Sequence, residues 1–352
     1  MKDVIIVGGG LMGAALAHHT ASLGLSTTLI EAGVIGAEGA TAHSRGMVRG
    51  YDPHPELMRW ALRGAAEWAG WSLPFPSPFV ACGLSYFVAP ANRDKVLAAL
   101  AGHDHRTYPI KVLGDDASVV PAHLRHLWRE GGLVLSEPLA GYVDTRLAAR
   151  LYAQSARMLG ASLLEGSRVL EIGEANGAAR VRLAHGDLVA RHAVLAVGAM
   201  TPALAGVDGL FSRSIPLSCI AQEPRQALES CVIDEVSGAY ARPDGADFFY
   251  CGGAPQQDAP MPAMLEYDVD AAGARNLELA KGLCGHGALS LLDTRQGYDA
   301  YTASLLPRLD LCPGLRQVRL ATGFSGRGAK YIPAVARMLA GQLMAMETEQ
   351  AA

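Results

Sequence analysis

The chain has little that would tie it to nucleic acid, a membrane or a disulfide framework. Only 18% of its residues are charged and the formal net charge is -4, so it offers neither a basic surface for a phosphate backbone nor a disordered acidic tail. Its six cysteines, at 82, 219, 231, 251, 284 and 312, include no CxxC pair and no histidine at metal-ligand spacing, which predicts reduced, packed thiols and no metal site. Long apolar runs are missing as well. Half of the residues are hydrophobic, yet Gly, Arg, Asp or Pro interrupts every run before the roughly 18 residues a membrane span needs. The opening residues lack an apolar segment with a small-residue cleavage site, which makes the cytoplasm the expected location. The 352 residues are enough for two ordinary domains, or for one large domain with a second inserted into it.

What the chain has in abundance is glycine, 40 residues of it, and its placement is informative. Residues 3–7, Asp-Val-Ile-Ile-Val, are a β-branched run suited to a parallel strand buried on both faces. Gly8-Gly9-Gly10-Leu11-Met12-Gly13 follows, then a helix over 14–23 and a second strand over 26–30 closed by Glu31. This is GxGxxG between strand and helix, with an acidic residue about 20 positions on, as a dinucleotide site requires. Gly8 permits the tight turn, Gly10 lets backbone approach a pyrophosphate, and Gly13 lets the helix pack on the strand. The helix N-terminus presents N–H groups and a positive dipole end to the phosphates. Glu31 accepts hydrogen bonds from ribose hydroxyls and would repel a 2′-phosphate, disfavouring NADP. The same residues are also compatible with a glycine turn that binds nothing, and they do not separate FAD from NAD.

Beyond Glu31 the texture alternates. A Gly/Ala/Ser-rich loop to about residue 50 leads into an amphipathic helix over 56–68. Short Pro-punctuated segments follow to about 139, with a strand at 84–88 and a helix at 92–101. Dinucleotide-type texture returns with a helix over 145–159, strands at 162–164 and 168–172, a hairpin at Asn176-Gly177 and a buried strand at 193–197. After a second Pro- and Asp-rich excursion with a strand at 247–250, the chain ends in a strand at 318–321, a glycine loop and a helix. The expected organisation is a Rossmann-like first domain (1–72, 141–213, 298–352) into which a smaller one (73–140, 214–297) is inserted twice.

Three further stretches carry a family resemblance. Gly39-Ala-Thr-Ala-His-Ser-Arg-Gly-Met-Val-Arg49, Ala193-Val-Leu-Ala-Val-Gly-Ala-Met-Thr-Pro202 and Gly323-Phe-Ser-Gly-Arg-Gly-Ala-Lys330 resemble, in this order, the flavin-contacting segments of the FAD-dependent amine and amino-acid oxidoreductases of the D-amino acid oxidase superfamily. The sequence is most similar to their monomeric sarcosine oxidase and glycine oxidase branch. The resemblance implies an α/β fold: an FAD-binding domain of glutathione-reductase type and a twice-inserted α+β substrate domain with an antiparallel sheet. It also implies a cofactor set of Gly8, Gly10, Leu11, Met12, Gly13, Glu31, Ser44, Arg45, Val169, Gly198, Thr201, Gly323, Ser325, Gly326, Arg327, Gly328 and Lys330.

The function implied is oxidation of the C–N bond of an amino acid or related amine carboxylate to an imine, by hydride transfer to flavin N5. A secondary or cyclic amine is slightly preferred, and the electrons pass to O2 or to a quinone or protein acceptor. Arg49 and Lys330 match the family's carboxylate clamp, and Tyr301 matches an active-site tyrosine. Three departures from the pattern fall on two positions. Asp299 stands where sarcosine oxidases carry the flavin-linking cysteine, which implies noncovalent FAD, and where glycine oxidases carry a carboxylate-binding arginine. Cys251 or a neighbour stands in place of the lysine that promotes reaction with oxygen. These departures sustain a competing expectation, a flavin-binding assembly subunit of a larger oxidoreductase complex with a degenerate pocket.

Overall fold

A computed structural model of the chain describes residues 1–113, 117–285 and 287–351. Its first layer is a parallel sheet of strands β1 (Lys2–Val7), β2 (Thr27–Ile30), β3 (Ser162–Leu164), β4 (Gly186–Leu195) and β5 (Val318–Leu320), ordered β3-β2-β1-β4-β5. The apolar run of β1 is buried because neighbours cover both of its faces. On one edge β4 serves two partners: residues 186–190 pair with the strand Ala178–Leu183 of an antiparallel hairpin, and residues 193–195 with β5. That hairpin turns at Asn176 and Gly177, both at positive φ (53° and 76°), as the Asn-Gly dipeptide predicts.

Helix α1 (Leu11–Ser22) packs against both α2 (Thr145–Met158) and α3 (Ile332–Ala351). Covered in this way it is apolar almost all round, in contrast to the strongly amphipathic α2. The chain leaves β1 through α1 to β2 on one side, while β4 lies on the other. The strand order therefore reverses at β1, and a crevice opens beyond the carboxyl ends of β1 and β4.

The second layer is a nine-stranded, mainly antiparallel sheet built on two long strands, Leu210–Ala221 and Ser290–Thr302, paired along their length. Phe248–Gly252, Ala239–Pro243, Cys231–Asp234 and Leu84–Val88 extend it. One face is closed by helix Val269–Cys284 over a core that includes Phe87, Val232, Phe249, Cys251 and Leu279. The other face looks towards the parallel layer. The expected hand-overs at 213/214 and 297/298 fall inside the two long strands, which belong to the second layer along their whole length. The segment 39–50, expected as a loop, contains a short helix (Gly39–His43) and a strand (Met47–Val48) that joins Gly141–Val143 and Phe79–Ala81 in a small third sheet. Among the described residues no helix is long and apolar enough to cross a membrane.

Candidate cofactor and substrate site

At the crevice, backbone meets backbone. A Cβ on Gly13 would lie 1.9 Å from the carbonyl oxygen of Gly8, so only glycine lets α1 sit this close to the end of β1. Gly8 itself has φ of 104°, and Gly10 caps the helix without a side-chain hydrogen bond. The Leu11 N–H donates to Thr41 Oγ1 (2.9 Å), which fixes the 39–50 segment over the start of the helix where Met12 also lies. Glu31 accepts from the N–H groups of Gly9 (2.6 Å) and Gly33 (2.9 Å), and its two oxygens retain acceptor capacity for hydroxyl donors. Residue 167 donates its N–H to the Glu31 carbonyl (2.8 Å), bringing the strand that begins at Val169 alongside this end.

The carboxyl ends of β4 and β5 are tied to each other. Thr201 Oγ1 and Thr322 Oγ1 both donate to the Gly198 carbonyl, at 2.7 and 3.0 Å. From there residues 323–330 form a tight loop against the end of strand Ser290–Thr302. Ser325, buried and at φ of 52°, donates its N–H to Ala300, and Gly326 donates to Asp299 Oδ2 at 2.9 Å. Burial pushes the Asp299 carboxyl up to about 6, against the opposing effect of the Gly326 and Ala300 N–H groups. The Tyr301 hydroxyl lies against Gly326, and burial followed by Asp299 pushes it up to about 12. The far end of the loop is clamped by helix Pro55–Ala69. Trp68 Nε1 donates to the Ala329 carbonyl (2.8 Å), and a Cβ on Gly64 would lie 2.2 Å from the Lys330 carbonyl oxygen.

This clamping delivers the side chain of Lys330 into a buried charge cluster. Lys330, 3% exposed, donates to Asp52 Oδ2 at 2.6 Å, and Arg327 Nη1 reaches Asp52 Oδ1 at 3.4 Å. Burial, Arg49 and Arg327 pull the ammonium down to about 7 against the attraction of Asp52. Burial alone would raise the Asp52 carboxyl, but Lys330, Arg49 and the His54 N–H hold it below its ordinary range. Glu137, fully buried, accepts from the N–H groups of Gly50 (2.5 Å) and Tyr51 (3.1 Å) and from the Tyr108 hydroxyl (3.1 Å), fixing the backbone between Arg49 and Asp52.

Of the two residues matched to the carboxylate clamp, Lys330 is held by Asp52, while Arg49 lies close enough for its charge to act on both members of that pair. Arg49 donates to the Tyr51 carbonyl and stands over the rings of Tyr86 (5.2 Å) and Tyr51 (5.8 Å). Among the described residues it has no carboxylate partner within ion-pair distance. Asp52 and Glu137 are the two residues missed in the sequence. The available signal for Asp52 was its place three positions after Arg49 in the cofactor loop.

Strand alternation sends Cys251 and its neighbour Tyr250 to opposite faces of the sheet. Cys251 points into the core beneath helix Val269–Cys284. Tyr250, one residue earlier, points to the opposite face of the sheet, where the Arg45 guanidinium lies 4.3 Å from its ring centroid. Among the described residues Arg45 donates only to the Ser44 carbonyl, while Ser44 Oγ accepts from the Gly46 N–H.

The crevice suits a dinucleotide. A glycine wall allows close approach, the helix N-terminus has Gly10 as its cap and Thr41 on its first N–H, and a carboxylate waits at the end of β2. The segments 39–52 and 323–330 extend the site beyond what a nucleotide alone would occupy. Against known proteins, the sequence matches the DAO family, FAD dependent oxidoreductases, over residues 3–342. The chain belongs to this family. It is 28% identical over 239 residues to a glycine oxidase of Bacillus licheniformis, a match covering 61% of this chain and 59% of that protein, less than two thirds of its length.

Among solved structures, glycine oxidase from Geobacillus kaustophilus superposes with a TM-score of 0.80 at 21% identity, over 98% of this chain and 95% of that one. L-proline dehydrogenase from P. horikoshii gives 0.79 at 21% over 97% and 93%. An L-amino acid deaminase from Proteus myxofaciens gives 0.81 at 15% over 98% and 90%. The mixed α/β fold is theirs, and the cofactor the family implies is FAD.

Proposed function

We propose that the protein oxidises the C–N bond of an amino acid or related amine carboxylate, with a secondary or cyclic amine slightly preferred, and releases an imine. The observation that carries this reading is Arg49. Its guanidinium has no carboxylate partner among the described residues, yet it is fixed beside a neutralised Asp52–Lys330 pair and two aromatic rings. Such a group offers a bidentate seat to a carboxylate. FAD, bound noncovalently, supplies the hydride acceptor. It would be held by the Gly8–Gly13 turn, Glu31, the backbone around Ser44 and Arg45, Val169, Gly198 and Thr201, and the 323–330 loop.

The chain's own residues orient the substrate and exclude water. Arg49 holds the carboxylate, Tyr51 and Tyr86 wall the seat, and Tyr301 closes the side next to the loop. Lys330 contributes through the Asp52 pair rather than as a free ligand. The glycine oxidase and L-proline dehydrogenase among the similar proteins act, by their names, on amino acids, which supports this reading. The electrons pass to O2 or to a quinone or protein acceptor, the reaction is placed in the cytoplasm, and the domain plan is the twice-inserted one given above.

The capture of Lys330 by Asp52 favours one rival reading, a flavin-binding assembly subunit with a degenerate pocket. Anaerobic titration of the holoprotein with a panel of amino acids and N-alkyl amino acids separates the two. Bleaching of the oxidised flavin by at least one of them, with stoichiometric imine or its hydrolysis product, is the expected result. A panel that leaves the flavin oxidised throughout would remove the enzyme reading.

A further inference from the structure

On the sheet face that looks towards the parallel layer, Arg242 lies one strand over from Tyr250 and opposite it in register. Its guanidinium is 4.8 Å from the Tyr250 centroid and 4.1 Å from that of Tyr142, so Arg45 and Arg242 share one aromatic ring. Arg242 is 8% exposed and, among the described residues, donates only through Nη1, to the Pro243 carbonyl and Asp244, both at 2.8 Å. Asp244, the ion-pair partner of Arg242, is partly open to solvent, its side chain 42% exposed.

The Nε atoms of Arg45 and Arg242 are both buried, and among the described residues neither has a hydrogen-bond partner. Arg45 has no carboxylate partner there either. Two guanidinium groups held on the same ring repel each other, and each leaves a buried donor unmade. An unmade buried donor is destabilising. A bound anion would remove both costs.

The same face carries the Arg49 corner. Tyr86, under the Arg49 guanidinium, is in register with Ile233, which is in register with Tyr240, and Arg242 is two residues along that strand on the same side. At about 4.8 Å between strands and about 3.4 Å per residue, Arg242 stands one small molecule's length from Tyr86. Arg45 and Arg49 flank the short strand Met47–Val48, which spans a similar distance along the first loop.

We propose that Arg242 and Arg45 form a second anion seat, and that the substrate is a dicarboxylic amine with one carboxylate on Arg49 and the other on the Arg242–Arg45 pair. This rests on the proposed function and narrows it to a substrate class.

The test uses ligands that cannot be oxidised. Binding of acetate and propionate is compared with that of succinate and glutarate to the holoprotein, by calorimetry and by perturbation of the flavin spectrum, in wild type, Arg242→Met and Arg242→Lys. In wild type a dicarboxylate should bind about tenfold tighter or more, the size of one added charge-assisted contact. In Arg242→Met the preference should fall to near one, with an intermediate value for Arg242→Lys. Equal binding of mono- and dicarboxylates by wild type, or an unchanged ratio in Arg242→Met, overturns the second seat and leaves the Arg49 reading standing. If no carboxylate of either kind binds wild type, the proposed function fails and the inference with it. The wild-type ratio decides the question even if Arg242→Met does not fold.

Discussion

The two ends of the site are made of different materials. At the proposed nucleotide end the groups on offer are backbone N–H donors, a helix terminus and one carboxylate, all on the unit from β1 to Glu31, and glycines set the shape. At the far end they are charged side chains. Asp52, Glu137, Asp299 and Lys330 come from segments scattered through the chain, and each is held by a partner far away in sequence. Shape tolerates no added atom, whereas charge tolerates no missing partner. The first end should therefore fail by steric insertion and the second by deletion of one member of a pair.

The largest effect is expected where a buried charge is orphaned. Asp52→Ala leaves the Lys330 ammonium, 3% exposed, without its carboxylate, and should cost about 3–5 kcal/mol in urea unfolding. Adding Lys330→Met should restore more than half of that loss. If the double variant is no more stable than the single one, the far end is not organised by this pair.

Next is Gly13→Ala at the other end. The new methyl would sit against the Gly8 carbonyl, with an expected loss of about 1–3 kcal/mol and a fall in the flavin-to-protein absorbance ratio of the purified protein. A variant that retains full flavin content would break the contrast between shape and charge.

A smaller, pH-dependent effect belongs to Asp299. A carboxyl raised from 3.8 to about 6 binds its proton more tightly in the folded state, so its contribution is present at low pH and lost as pH rises through that window. Between pH 4 and 7 wild type should lose about 2–2.5 kcal/mol from this group. In Asp299→Asn the loss should largely vanish, as read from unfolding midpoints at the two pH values. The smallest effect is expected at the exposed Arg337–Glu67 pair, where Glu67→Ala should change stability by less than about 1 kcal/mol. It serves as the control for the other three.

The same contrast explains what could be read from the chain. The nucleotide end was legible because strand, turn, helix and acid are contiguous, and each imposes a residue type on its own position. The loops at 39–49, 193–202 and 323–330 were legible through resemblance. Asp52 was not, because its role depends on a lysine 278 residues away brought in by a loop pressed onto Gly64. Glu137 was hidden for the same reason, since nothing in its neighbourhood shows that two N–H groups from residues 50 and 51 will need an acceptor. Cys251 and Tyr250 could not be told apart because a one-residue change of register exchanges the faces of a strand, and the turn between Pro243 and Phe248 does not fix that register in the sequence. The two long strands were missed because their alternation is interrupted by polar residues on both faces, Ser218 and Thr294 against helix Val269–Cys284 and Asp299 against the 323–330 loop.

The central claim is that the far end of the cofactor crevice is a carboxylate seat organised around Arg49. The most direct measurement is the dissociation constant of a carboxylate inhibitor for the holoprotein, wild type against Arg49→Met, followed by perturbation of the flavin spectrum. Loss of a charge-assisted seat should weaken binding by about tenfold to a hundredfold while the flavin content is unchanged. Equal affinities in the two proteins would contradict the account.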